Sequence, residues 1–282
     1  MKKVSSSIIA VAVAMQWVAG AAFAAETSTA TKSSIWSKFS GGYSGAFYGP
    51  SLGNFSSPYQ PDAEGNSNEK TGKLLLENSV SINYQIDSKV KVYVNPRFNF
   101  FPVKGGDFVI KNTRMGIKMA NAIERGNFKL SSINFTLEVP TSKLSLDKGL
   151  IVAPGSFSIV TYKLGENSRW TLGSYNDFRF YFWSAAPDSE YLGNTRSFAG
   201  LLSPFLSYSV SDQFGVEFRM AASTQYNRGE GFSELDPKNL ALALNIDVIP
   251  KWTLVPTLTV FPWNTVTWDS MQVGLEIYGS LF

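Results

Sequence analysis

The sequence predicts an all-β chain, a transmembrane antiparallel up-and-down β-barrel of about twelve strands. Three observations predict it. Apolar and polar residues alternate with a period of two in long runs over most of the 282 residues. The links between the runs tend to alternate, one short and the next long and polar. The one long apolar stretch stands at the very start, where it reads as an export signal, and nothing after it is apolar enough for a membrane helix.

That start, MKKVSSSIIAVAVAMQWVAGAAFAAE, has two lysines, an apolar core from Ile8 to Val18, and Ala22-Phe23-Ala24 as a small-x-small site. Residues 1–24 are therefore expected to be a signal peptide cleaved after Ala24, followed by a polar tail over 25–34 and a single barrel domain over 35–282. Losing Lys2 and Lys3 takes the formal charge from +3 to +1. A nearly neutral chain of this kind offers no electrostatic footprint for nucleic acid. It has no cysteine, so nothing covalent cross-links it. With 44% hydrophobic and 17% charged residues it is too apolar for disorder.

The first alternating run is FSGGYSGAFYG, with Phe39, Gly41, Tyr43, Gly45 and Phe47 on one face. Residues 50–72, rich in Pro, Gly, Ser and Asn, read as a long loop. KLLLENSVSINYQI then turns at Asp87-Ser88 into KVKVYVNPRFNFFP, a long hairpin whose second strand carries Pro96. A similar hairpin recurs on either side of Ser211-Asp212, and again on either side of Pro250-Lys251, where Pro204 and Pro256 share the apolar face as Pro96 does. Weaker strands fall near 108–120, 128–139, 156–164 and 169–183, and the last spans about Trp268 to Phe282. A proline removes a donor from a closed ladder, so a local bulge is expected at each. The link 121–127 reads as long for a turn.

Length argues for a membrane. The run Phe198–Val210 covers ~40 Å at ~3.3 Å per residue and rises ~30 Å at a ~40° tilt, enough for a ~25 Å apolar band. Aromatic residues gather near strand ends, as with Tyr84, Phe100, Trp183, Tyr208, Trp252, Trp263 and Trp268, which suits the two interfaces of a bilayer. A soluble periplasmic barrel with charges outside would show the same alternation, so the direction of the faces rests on these features together.

With its signal, its alternation, its lack of cysteine and an end, VGLEIYGSLF, closing on an aromatic, the chain resembles bacterial outer-membrane β-barrel proteins of the porin-like kind. The resemblance covers nearly all of residues 35–282 and is to an architecture, with no family-specific motif. It implies a Gram-negative envelope, outer-membrane lipid around the barrel, and the barrel-assembly machinery as a partner through the C-terminal strand. One departure stands out: Phe282 falls on the face of Ser280, Tyr278 and Glu276, away from Val273, Leu275, Ile277 and Leu281. A bulge near Gly279 would restore its phase.

The polar faces hold Lys91, Arg97, Arg114, Lys118, Arg179 and Arg219 together with Glu77, Glu138, Asp177, Glu217, Asp247 and Glu276. The pore-lining candidates among them are Lys91, Arg97, Arg114, Arg179, Arg219, Glu77, Glu138, Asp177 and Glu217. Charges of both signs across a narrow lumen would orient small polar solutes. The plainer reading is that they pair and stiffen a closed barrel. Histidine is absent, which removes the usual general base and any Ser-His or Asp-His arrangement, and no enzyme is expected. The oxygen-rich stretch 62–69 does not follow the order of a calcium loop, and no phosphate-cradling glycine loop occurs, so no metal or cofactor is expected. The expected function is a monomeric porin-like channel for passive diffusion of small polar or charged solutes. The alternative is a non-conducting barrel with a structural or surface-binding role through its outer loops.

Overall fold

The structure, a computed structural model, describes residues 35–51, 75–101, 107–184, 196–227, 230–233, 236–261, 268 and 271–282. The chain divides into two compact units, 1–39 and 40–282. In the first the described residues are a 3-10 turn, Ile35–Lys38, and the opening residue of a strand. The second is the β-barrel.

Its strands are β1 (Phe39–Ser51), β2 (Leu75–Gln85), β3 (Val90–Asn95), β4 (Arg97–Phe101), β5 (Asp107–Ile110), β6 (Thr113–Arg125), β7 (Phe128–Val139) and β8 (Leu150–Lys163). They continue as β9 (Trp170–Phe180), β10 (Phe182–Trp183), β11 (Arg196–Ser209), β12 (Phe214–Asn227), β13 (Gly231–Phe232), β14 (Asp236–Ile249), β15 (Trp252–Val260) and β16 (Met271–Ser280). A short helix, α1 (Lys143–Asp147), lies between β7 and β8, with the Ser142 hydroxyl accepting from the Ser145 amide at its start. Neighbours in sequence pair antiparallel, and β1 pairs with both β16 and β2, which closes the ring. The closed barrel has twelve staves, with β4, β5, β10 and β13 as additional strands. Closure leaves the twelve staves of the ring without a free edge for lipid to meet.

Which face meets lipid is decided by exposure. Phe135, Phe180 and Phe218 are each at least half exposed, at 52%, 53% and 50%, while Glu138, Arg179 and Glu217 on the alternate positions retain 6%, 7% and 6%. A water-soluble barrel would have this the other way round. Bulky apolar side chains turned out and charges turned in make the barrel one built for hydrocarbon. Aromatic pairs mark both rims: Trp170 with Tyr208 (4.7 Å) and Tyr43 with Trp252 (6.3 Å) at one, Phe180 with Phe198 (5.1 Å) and Tyr226 with Phe232 (4.9 Å) at the other.

The two rims differ. At one, β2 passes to β3, β8 to β9, β11 to β12 and β14 to β15 through six residues or fewer. The link expected to be long at 121–127 is also short, because β6 runs on to Arg125 and the turn is Gly126-Asn127, with Gly126 at φ 56°. A glycine takes that left-handed conformation without steric cost. The loop expected at 50–72 lies outside the described residues apart from Pro50 and Ser51, which close β1, and the 62–69 stretch and Trp263 lie wholly outside them.

The prolines resolve differently from expectation. Across β2 the register is unchanged on either side of Pro96, from Ile82–Val94 to Ser79–Arg97, and the Val80 amide still donates to the Pro96 carbonyl at 3.1 Å. The adjustment is made on the opposite neighbour, where Asn95 faces Arg114 but Phe98 faces Ile110, so one extra residue, Asn112, lies between β5 and β6. The bulge thus sits across from the proline, on the strand that would have received its missing donor. At Pro204 and Pro256 no bulge forms. Pro204 stays in register with Ser174 and Pro256 with Leu275, and the pairing lapses only toward β12 and β14, without a shift.

No bulge forms at Gly279 either, since the β1–β16 and β15–β16 registers run through it unbroken. The adjustment comes after Ser280, where the Leu281 amide donates to the Gly41 carbonyl at 2.9 Å and the Gly41 amide donates to the Phe282 carbonyl at 3.4 Å, so that two residues stand opposite Gly41 and the Phe282 ring occupies the space where a side chain there would stand. The terminal aromatic gains the outer face through this two-against-one pairing with Gly41.

Candidate functional site

Inward positions of adjacent strands meet at fixed registers, and this brings the predicted charges into two groups. The first is built around Glu138, one residue before the end of β7, whose side chain is 8% exposed. Arg114, its cross-strand neighbour on β6, donates from Nε at 3.0 Å, and Arg179 of β9 donates from Nη1 at 2.8 Å. Arg97 of β4 adds a third guanidinium at 3.6 Å. Arg179 also reaches Asp177, two residues back on the same inward face, at 3.2 Å. Asn112, the bulged residue, donates from Nδ2 to the other Glu138 oxygen at 3.0 Å. Its Oδ1 accepts from the Thr141 and Ser142 amides, tying the group to the link that carries α1.

The second group lies toward the short-turn rim. Arg219 of β12 donates to Glu276 of β16 at 3.0 Å and lies 3.5 Å from Glu217, two residues before it. Tyr175 of β9 donates its hydroxyl to Glu217 at 3.1 Å, and Tyr278 donates to Glu276 at 2.7 Å. Tyr175 is held by stacking on Phe205 at 4.6 Å, and that ring fits because Gly173 leaves the space a side chain would fill. One guanidinium here faces two carboxylates, whereas in the first group three guanidiniums face two.

Inside the barrel a cavity of about 590 Å³ is lined by Lys91, Arg97, Arg114, Lys118 and Arg179 with Glu77 as its one acid among the described residues, together with serines, asparagines and threonine. Glu138 sits behind the arginines. Of the predicted lining residues, Lys91, Arg97, Arg114, Arg179 and Glu77 border this cavity, Glu138 and Asp177 support it, and Arg219 and Glu217 belong to the other group. Lys118 and Glu276 were assigned to the polar face by alternation, and register is what makes them part of a site. Tyr175, Tyr278 and Asn112 carried no sequence signal beyond that alternation. Among the described residues no group of His, Cys, Asp and Glu could hold a metal ion.

No protein-family model matches the chain, and no curated protein matches it by sequence. Solved structures match its shape. An outer-membrane channel from Pseudomonas putida F1 has a TM-score of 0.53 at 12% identity, covering 86% of this chain and 96% of that one. The NanC porin gives 0.44 at 7% identity, over 84% and 97%. Outer membrane phospholipase A from Escherichia coli gives 0.37 at 11% identity, over 86% and 97%. At such identities the likeness is one of fold, and the fold is that of the outer-membrane β-barrels.

Proposed function

We propose that this outer-membrane-type barrel is a porin-like channel through which small polar or charged solutes diffuse passively. The observation that carries the reading is the cavity of about 590 Å³, whose wall carries most of the charged side chains of the first group with serines and asparagines, inside staves whose outer faces suit lipid. Ion pairs run from strand to strand along the wall, so the charges are held in place without filling the space between. The chain would be exported with cleavage after Ala24, inserted through its C-terminal strand by the barrel-assembly machinery, and work as a monomer without covalent chemistry, since the sequence offers no histidine base. Refolded protein in a planar bilayer should give discrete conductance steps. Their absence across repeated insertions would overturn the channel. It would leave the second reading, a non-conducting structural barrel, which the convergence of three arginines on Glu138 favours as a stiffening device.

A further inference from the structure

Within the cavity two cations stand apart from the rest. Lys91 of β3 and Lys118 of β6 are direct cross-strand partners on the inward face, and both border the cavity. Neither has an ion pair among the described residues, whereas the three arginines on the same cavity wall share Glu138. Like charges directly opposite one another on a sheet repel, and in a partly desolvated lumen the repulsion is not fully screened. A sheet that places two ammonium groups side by side, with no acid paired to them among the described residues, is arranged to be neutralised by something that enters.

The adjoining strand shows what else that visitor would meet. Asn134 of β7 is the partner of Lys118 on its other side, and with Thr136 it lines the same cavity. Both residues are uncharged, and the Asn134 Oδ1 and the Thr136 hydroxyl are buried in the wall, so this flank adds no counter-charge to the lysine pair. Further along the wall Arg114 sits four residues from Lys118, ~13 Å along the strand, so a second cationic group follows the lysine pair.

We infer that Lys91 and Lys118 form an anion subsite on the lumen wall, and that the solutes it favours are small carboxylates. The carboxylate accepts from both ammonium groups. Arg114, Arg97 and Arg179, with one charge in excess over Glu138 and Asp177, provide the next stop on the same wall. This deepens the channel reading and rests on it for transport, but binding to the wall can be measured by itself.

The experiment uses refolded full-length barrel in detergent micelles at low ionic strength, titrated calorimetrically with glucuronate and, as a neutral probe of matched size, with glucose. Glucuronate should bind and glucose should not. The Lys91→Gln/Lys118→Gln variant should bind glucuronate more weakly by about tenfold or more, the loss expected for removing charge-assisted hydrogen bonds. Lys91→Arg/Lys118→Arg should keep most of the affinity. Heat-modifiable gel mobility checks that each variant is folded, and the arginine pair keeps the test decisive if the glutamine pair is not. Equal binding of the two sugars, or full affinity in the folded glutamine variant, would overturn the subsite. So would loss of affinity in the folded arginine variant. Conductance is read separately. Binding without steps would remove the channel and leave the subsite, and steps with a potassium-selective reversal potential would remove the subsite and leave the channel.

Discussion

Replacing Glu138 with glutamine tests the central claim about the lumen wall, that one carboxylate holds three guanidiniums in place. The glutamine keeps the shape of the side chain and an oxygen for Asn112, but it removes the charge shared by Arg97, Arg114 and Arg179. Stripping one partner from a buried ion pair costs about 3–5 kcal/mol, because the remaining charge is left without compensation. Two features of the site place the expectation at the lower end. The side chains of Arg97 and Arg114 are 24% and 27% exposed, so lumen water can solvate them in part, and Arg179, at 8%, keeps Asp177 at 3.2 Å. A loss of about 3 kcal/mol follows. It would be read by equilibrium urea unfolding in lipid vesicles, followed by tryptophan fluorescence. Adding Arg179→Gln to the same chain should recover part of the loss, since the most buried uncompensated charge is then gone. A single variant within about 0.5 kcal/mol of the parent, the range of an ordinary surface substitution, would refute the argument that Glu138 is the counterion of this wall.

Two further outcomes follow from the charges. Neutralising Arg97 and Arg219 together with glutamine removes one cation from each group, and in a conducting barrel the reversal potential in a salt gradient should move toward cations. An unchanged potential would exclude both from the conduction path. In the β2–β3 turn, the amides of Lys89 and Val90 donate to the Asp87 carboxylate at 2.7 and 2.9 Å and hold its pKa below the usual aspartate range. Such a group adds its stability to the turn in full above the unfolded value near 3.8 and loses it as pH falls through the lower folded value. Asp87→Ala should therefore weaken the turn at neutral pH and change nothing at strongly acid pH. Carboxyl chemical shifts that titrate at or above 3.8 in the native barrel would contradict this.

Much of this was legible from alternation. A period of two gives each residue its face, so the charged residues of β3, β4, β6, β7, β9 and β12 could be assigned to one side before any pairing was known. What alternation cannot give is which charges meet. Arg179 and Glu138 are 41 residues apart, and their contact depends on how far β8 and β9 are staggered against β7. Arg219 meets Glu276 across 57 residues for the same reason. The prolines show a similar limit. The missing donor was readable in the sequence, yet at Pro96 the neighbouring strand took up the strain, and at Pro204 and Pro256 the ladder simply went without a bond. Alternation puts Phe282 out of phase, and the adjustment falls at its own pairing with Gly41, two residues past Ser280, where only the hydrogen bonds reveal it.

The notch at Pro96 and Asn112 also bears on how the barrel yields under load. Every stave is zipped to two neighbours, so pulling one out means parting two ladders at once, and a ring of this kind should fail as a whole. Between β3/β4 and β5/β6 the zip is already interrupted, and the stave beyond the interruption is carried by the short segments β4 and β5, five and four residues long. Stretched mechanically from the rim with the longer links, the ring should open there first, with β4 and β5 peeling away before the longer strands on the far wall have given up a single bond.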